Sequence, residues 1–345
     1  MILIDSIYIH NSGGKVLLEI LINWIRVNKK DSFFFLFDSR LPSSMIAKVA
    51  PENYKILKAS ENNRKFFYKK EQRSFSHFLC FSNVPPPIKI EKTVTIYFHN
   101  DIILDPTKSN IGLIQKFKFR LKKKYINVKN HKHYNWAVQT SLMKDKLIKA
   151  FGVKSKNISI FPFFDEFTSV LNKDIISDTF LYVANYTLNK NHKRLIKAFM
   201  QASIETDINF TLKLTLEDKE FKILLKETNY LKSNFELINL GILDKKGLMV
   251  AYEEANFFIY PSLKESFGLP LIEASNFSCF ILASDLEYVY EVIKPSLTFD
   301  PYSIESISNA ILKAIDTDDL KGTKVLVENK LDNFIEFIIS QDVQK

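Results

Sequence analysis

Short apolar runs alternate with helix-periodic segments along the whole chain, and that rhythm limits the available folds more than any other feature. Ile2–Ile9, Phe33–Phe37, Thr93–Phe98, Ala137–Thr140 and Ile158–Phe161 read as strands in the first half. Phe180–Ala184, Phe210–Leu214, Phe235–Asn239, Phe257–Tyr260 and Cys279–Ala283 read as strands in the second. Helical spacing of apolar residues marks Lys15–Val27, Leu142–Phe151, Lys193–Ser203, Gly247–Glu254 and Pro270–Asn276 between them. Two more helices are expected over Ile304–Asp316 and Val325–Ser340. Strands and helices in strict alternation predict an α/β architecture with parallel sheets. A length of 345 residues favours two domains. The expected division is 1–163, 164–324 and a tail, 325–345, whose helix packs back toward the first domain. Two Rossmann-like, doubly wound domains facing a cleft would bind ligands outside the strand carboxyl ends.

Apolar residues make up 46% of the chain, enough for real cores. The two cysteines, Cys80 and Cys279, have no metal-site spacing and form no disulfide framework, so a reducing compartment is expected. The N-terminal residues lack a basic n-region, and no stretch reaches the roughly 20 apolar residues that span a bilayer. The expectation is a cytoplasmic protein, soluble or peripheral at the inner face of the membrane. Net charge is +9. Its distribution matters more than its total: Lys116 to His133 holds eight Lys/Arg and no acid. Such a run suits an anionic membrane surface, through Lys116–Lys132, or stands as a solvated basic helix. No nucleic-acid recognition motif accompanies it, so no nucleic-acid partner is expected.

Glycine is scarce, eight of 345 residues, which makes its placement informative. Gly13 and Gly14 fall between the first strand and first helix, where backbone N–H groups can approach a phosphate or simply make a tight turn. The segment Tyr260–Ser275 says more. A strand ends at Tyr260-Pro261-Ser262, a loop carries Glu265, Ser266, Phe267 and Gly268, and Pro270 suits the first turn of a helix. The N–H groups near Gly268 and Leu269 then sit at a positive helix end, suited to a diphosphate. Glu265 lies at the mouth of that site, and Glu273 is placed to accept hydrogen bonds from sugar or ribose hydroxyls. Carboxylates in so apolar a stretch are seldom incidental, because burying them unpaired is costly.

The stretch E-S-F-G-L-P-L-I-E-A, with Glu265 and Glu273 eight positions apart, resembles the signature of the retaining glycosyltransferases of family 4, which have the GT-B fold. Tyr182–Phe199 is similar to that family's phosphate-binding strand-loop-helix, Ala137–Lys144 to the strand and helix that close its first domain, and Leu240-Gly241 to the loop beside its nucleotide base. The resemblance implies a nucleoside-diphosphate sugar as donor, a saccharide hydroxyl as acceptor and a place in surface-polysaccharide assembly; the basic run Lys116–Lys132 would suit a lipid-linked acceptor at an anionic membrane surface. The resemblance implies no metal and no other cofactor. Glu265 would contact donor-sugar hydroxyls, Glu273 the ribose, Lys190 the diphosphate, and His99 the transferred sugar. Gly13 and Gly14 would form the opposing loop. The chain departs from the family at Ala184-Asn185, where Gly-Arg is usual. Asn185 donates a hydrogen bond but carries no charge.

A nucleotide-sugar epimerase of similar architecture would use other acid/base residues and lack the Glu-x7-Glu spacing. A glycoside hydrolase would set its carboxylates across a scissile bond and not at a phosphate-suited helix start. A basic, non-catalytic binding protein is the remaining alternative. Either Lys190 works with less help than the family's lysine has, or Arg194, one helical turn beyond it, replaces the missing arginine. Arg194→Ala should then weaken donor binding in a titration, and unchanged affinity would rule the replacement out.

Overall fold

Parallel neighbours cannot be joined by a tight hairpin, so each pair of strands needs a crossover. The alternation therefore becomes two sheets wrapped by helices. The computed structural model describes residues 1–28, 30, 32–106, 112–167, 178–317 and 319–343. Met1–Lys108, Gly112–Phe164 and Glu328–Lys345 form one compact unit, and Asp165–Val327 lies in the other.

The first unit contains β1 (Ile2–Asp5), β2 (Phe33–Asp38), β3 (Tyr54–Leu57), β4 (His77–Cys80), β5 (Thr93–Tyr97), β6 (Asn135–Val138) and β7 (Ile158–Ile160). Their order is β3-β2-β1-β4-β5-β6-β7, with every pairing parallel. Helices α1 (Ser12–Val27), α2 (Ser43–Ile46), α3 (Glu61–Glu71), α4 (Asp101–Leu104), α5 (Leu113–Lys129) and α6 (Ser141–Phe151) lie along its connections. The order runs outward from β1 to β3 and restarts with β4 on the other side of β1. The topological switch point is therefore between β1 and β4.

The second unit repeats the plan. Its strands are β8 (Thr179–Tyr182), β9 (Phe210–Leu214), β10 (Phe235–Asn239), β11 (Phe257–Tyr260) and β12 (Phe280–Ser284). A short β13 (Ile293–Lys294) precedes β14 (Leu297–Phe299) and pairs antiparallel with β15 (Lys324–Val325). The main sheet has the order β10-β9-β8-β11-β12-β14, all parallel, with its switch point between β8 and β11. Helices α7 (His192–Glu205), α8 (Asp218–Thr228), α9 (Lys245–Glu254), α10 (Leu269–Asn276), α11 (Glu287–Tyr290) and α12 (Ile304–Asp316) accompany it. Phenylalanine fills this core: Phe180 stacks on Phe257 at 4.6 Å, and Phe199 and Phe210 both pack on Phe235.

The chain then returns to the first unit as α13 (Leu331–Val343). Phe334 packs 5.0 Å from Tyr97, and His77 of β4 fastens the helix to the sheet. Its Nδ1 lies 2.9 Å from the Ile338 carbonyl and its Nε2 3.0 Å from Thr95 Oγ1. A carbonyl only accepts, so Nδ1 carries the proton and Nε2 accepts from threonine. Both assemblies are Rossmann-like α/β domains, and the fold is GT-B.

Three expectations are corrected. The first strand stops at Asp5 and not Ile9, because the Asp5 carboxylate accepts from the Ile7 N–H and turns the chain out of the sheet. Gly13 and Gly14 lie inside the first turn of α1 and not in a turn before it. No helix covers Val325–Lys330. There the chain is extended, its amides donating to Val292 and Pro162 carbonyls, and Asn329 Oδ1 accepts from Leu331 N as α13 begins.

Candidate functional site

In the second unit β8 and β11 are neighbours across the switch point, so the loops that follow them start side by side. After β8 the chain makes a 3-10 turn at Leu188–Lys190 and enters α7 through Asn191, whose φ is +61°. After β11 it runs through Glu265 to Gly268, whose φ is +90°, and enters α10 with Pro270 in the first turn. A side chain at Gly268 would be strained by that φ, and its Cβ would lie 3.1 Å from Leu271. The loops are tied together: Leu263 N donates to Asn189 O at 2.8 Å, Asn191 Nδ2 to Pro261 O at 3.2 Å, and the Tyr182 hydroxyl to Lys190 O at 2.7 Å.

This bracing brings Lys190 and Glu265 together. Nζ and Oε1 are 2.5 Å apart, with the ammonium 5.4 Å from the Tyr260 ring centre. Both side chains are mostly buried, so the pair is far less screened than a surface bridge. Two helix N-termini, of α7 and α10, adjoin it, and their positive ends favour negative charge. The site therefore offers one cation, two dipole ends and one carboxylate that an anion can displace.

Glu273 lies one turn into α10 and is 9% exposed. Its Oε2 accepts from the Tyr252 hydroxyl at 2.8 Å. Burial nevertheless pushes its carboxyl up to about 7, with the Asp165 charge adding to the rise and Lys245 opposing it. Phe267 is buried and packs the loop, while Ser266 is half-buried. Asn185 is exposed in the loop after β8. Arg194 is engaged elsewhere: Nη1 donates to Asn191 Oδ1 at 2.5 Å and to Pro301 O at 3.2 Å, and the guanidinium lies over Tyr302. It thus braces the left-handed residue before α7. Gly241, with φ +72°, follows the edge strand β10 and has open space around it. Arg194 thus meets the residue next to Lys190, and Gly241 lies at the sheet edge.

In the first unit His99 follows β5 and is held by Asn83, from the loop after β4. Asn83 Oδ1 accepts from His99 N at 2.6 Å. His99 Nε2 lies 3.1 Å from the Phe81 carbonyl and 3.2 Å from Asn83 Nδ2, between an acceptor and a donor. Burial pushes the imidazole down to about 4, so His99 is neutral at pH 7. Gly14 is small for this ring: a Cβ there would come within 3.0 Å of His99 Cε1. A Cβ on Gly13 meets nothing.

Sequence reasoning missed the polar network beside His99. Asp5 and Arg64 form a fully buried pair at 2.7 Å, and Glu61 accepts from Arg64, Tyr8 and Tyr125. Tyr8 has φ +84°, rare for a bulky residue, and is held there by Asp38 and Glu61. Lys122, read only as part of a basic run, lies 5.8 Å from the Tyr8 ring centre. Burial and the nearby Arg64 push its ammonium down to about 8. Tyr252 was missed too; nothing in the sequence sets it apart from thirteen other tyrosines. Among the described residues no three His, Cys, Asp or Glu side chains gather to hold a metal ion.

The second unit is thus doubly wound, with an ion pair at its switch point. Residues 164–330 match the family profile described as Glycosyl transferases group 1. The chain is 26% identical over 186 residues to "Serotype-specific mannosyltransferase WbdA" of Escherichia coli, covering 52% of this chain and 23% of that protein. It is 26% identical over 249 residues to "O-antigen chain mannosyltransferase RfbU" of Salmonella typhimurium, covering 68% and 63%. The match thus spans less than two thirds of either relative. Among solved structures, WaaG, "a glycosyltransferase involved in lipopolysaccharide biosynthesis", superposes with a TM-score of 0.68 at 12% identity, over 100% of this chain and 96% of that one.

Glu273 makes a prediction with a definite sign. Its carboxyl rises from about 4.5 to about 7 on folding. Between those values the folded chain keeps a proton that the unfolded chain has lost, so this residue's contribution to stability falls as pH rises through the window. Glu273→Gln keeps a partner for Tyr252 and removes the titration. Its stability relative to the parent should increase from pH 4 to pH 8 by on the order of 1–3 kcal/mol in denaturant titrations. A difference that does not change with pH would refute the raised carboxyl.

Proposed function

We propose that this chain is a glycosyltransferase of retaining family 4. It moves a hexose from a nucleoside-diphosphate sugar to a hydroxyl of a saccharide acceptor, with retention and without a metal or other cofactor. One observation carries the reading: Lys190 and Glu265 are poised 2.5 Å apart between two helix starts. A diphosphate and a sugar can take one partner each. As the nucleoside diphosphate leaves, negative charge grows on its oxygens. Lys190 and the first-turn N–H groups of Gly268 and Leu269 stabilise that charge most when it is greatest. Glu265, freed from Lys190, receives hydroxyls of the donor sugar. Ionised Glu273 receives the ribose hydroxyls, with Tyr252 fixing its orientation.

The supporting roles are assigned as follows. Residues 164–324 bind the donor, residues 1–163 the acceptor, and 325–345 form the tail. Gly241 lies by the base, and Ser266 and Phe267 shape the loop around the sugar. Asn185 and Arg194 assist Lys190, the latter through Asn191. His99 acts on the transferred sugar as a neutral imidazole, with Gly14 leaving room for its ring. The relatives' names point to mannose and to bacterial surface polysaccharide, including O-antigen chains. The acceptor is assigned to a lipid carrier, reached by a cytoplasmic enzyme peripheral at the inner membrane face through Lys116–Lys132.

The test is a panel of nucleotide sugars, nucleoside-diphosphate mannose first, scored by thermal stabilisation and slow donor hydrolysis. One donor should stabilise the protein. Lys190→Ala should lose the response to that donor and to the free nucleoside diphosphate. Glu265→Gln should keep the response to the free diphosphate and cut hydrolysis by about a hundredfold or more. Silence toward every donor and every nucleoside diphosphate would overturn the reading.

A further inference from the structure

Helix α5 is built the wrong way round for a helix covering a core. Ile126 is its one fully buried residue, with Phe119 and Tyr125 half-buried against the first unit's core. Its large apolar residues point outward: Leu113 is 85% exposed, Ile114 74%, Phe117 60%, Leu121 52% and Val128 67%. At roughly 100° per residue these five share one arc about 100° wide, on the opposite side from Phe119 and Ile126. A packed helix with solvent on its outer face shows the reverse pattern. The unit's own fold therefore leaves this ridge unexplained.

The charges on either side say what covers it. Lys116, Arg120 and Lys123 flank the ridge on one side, Lys118 and Lys129 on the other, and α5 contains no acid. Lys124 falls within the ridge, where a long stem can lie along apolar surface with its ammonium drawn out to water. Two copies of the chain packed ridge to ridge would bring these cationic rows together, which like-charge repulsion opposes. A surface that is apolar inside and anionic at its boundary suits both features. No helix among the described residues is long and apolar enough to cross a membrane, so α5 would lie in the interface and not span it.

We propose that α5 lies in the interfacial plane of an anionic bilayer, with Leu113, Ile114, Phe117, Leu121 and Val128 among the acyl chains and its Lys and Arg residues on lipid phosphates. This deepens the membrane-surface reading above and rests on it for its purpose. It also changes its physics: the apolar ridge supplies the insertion, and the cations select the lipid. Ile126, Tyr125 and Lys122 on the inner side tie the inserted helix to the polar network beside His99.

The experiment sediments the full chain with vesicles of phosphatidylcholine alone or mixed with phosphatidylglycerol. Binding should be at least about tenfold stronger to the mixed vesicles and should weaken with salt. Phe117→Ser with Leu121→Ser leaves the charge unchanged and should weaken binding about tenfold or more. Both positions are exposed, so the fold should survive; an unchanged melting midpoint and circular dichroism spectrum check that. Lys118→Gln with Arg120→Gln should remove the preference for phosphatidylglycerol. The proposal is overturned by no binding to either vesicle, by binding that the Ser variants leave intact, or by a dimer that those variants dissolve without any vesicle binding. Vesicle binding needs no donor, so its failure and that of the donor panel are separate results.

Discussion

A parallel sheet whose strand order reverses leaves two loops side by side that depart toward opposite faces of the sheet. Every feature of the candidate site in the second unit depends on that constraint. β8 and β11 are adjacent, so the starts of α7 and α10 converge, and residues about seventy-five apart in sequence, Lys190 and Glu265, meet. The fold thus supplies two positive helix ends at no cost in side chains. The sequence needs only to add a cation, a carboxylate and a glycine that can adopt a left-handed φ. The first unit repeats the geometry with other chemistry. Its switch point carries the buried Asp5–Arg64 pair, and His99 lies on the loop after the next strand, β5.

Burial decides what the charged groups can do. Glu273 is packed so deeply that its carboxyl rises to about 7, and a hydroxyl-bearing ligand would draw it back toward ionisation. His99 is pushed the other way, to about 4, and so offers a neutral ring. The Lys190–Glu265 pair is compensated mainly internally, with Tyr260 beside the ammonium. A mostly buried pair of this kind is weak evidence for stability, and the proposed function reads it as two charges that a ligand separates.

The architecture was legible because strand and helix periodicities differ and the core strands are strongly apolar. β3 (Tyr54–Leu57) was missed because it is an edge strand with a mixed pattern, and α3 because its Glu-Asn-Asn-Arg start and Lys-Lys-Glu end hide its apolar side. The Val325–Ser340 helix failed in its first residues because tertiary hydrogen bonds to Pro162 and Val292 outweigh local preference. In the site, Glu265, Gly268 and Glu273 could be placed because they are consecutive features of one strand-loop-helix. Lys190 needed the family resemblance, since many lysines look alike. Tyr252, Asn83 and Lys122 act through contacts between distant segments, and no local pattern announces such contacts. The basic run showed its charge in sequence, but only the backbone reveals that its apolar residues face outward.

The account turns on Lys190 changing partners. A structure of the protein with an intact nucleoside-diphosphate sugar, or an uncleavable analogue, tests that directly. The account predicts that the 2.5 Å contact between Lys190 Nζ and Glu265 Oε1 opens, with Nζ moving to a phosphate oxygen and Glu265 to the sugar hydroxyls. A bound donor with that contact still closed, or a donor bound away from the starts of α7 and α10, would contradict it.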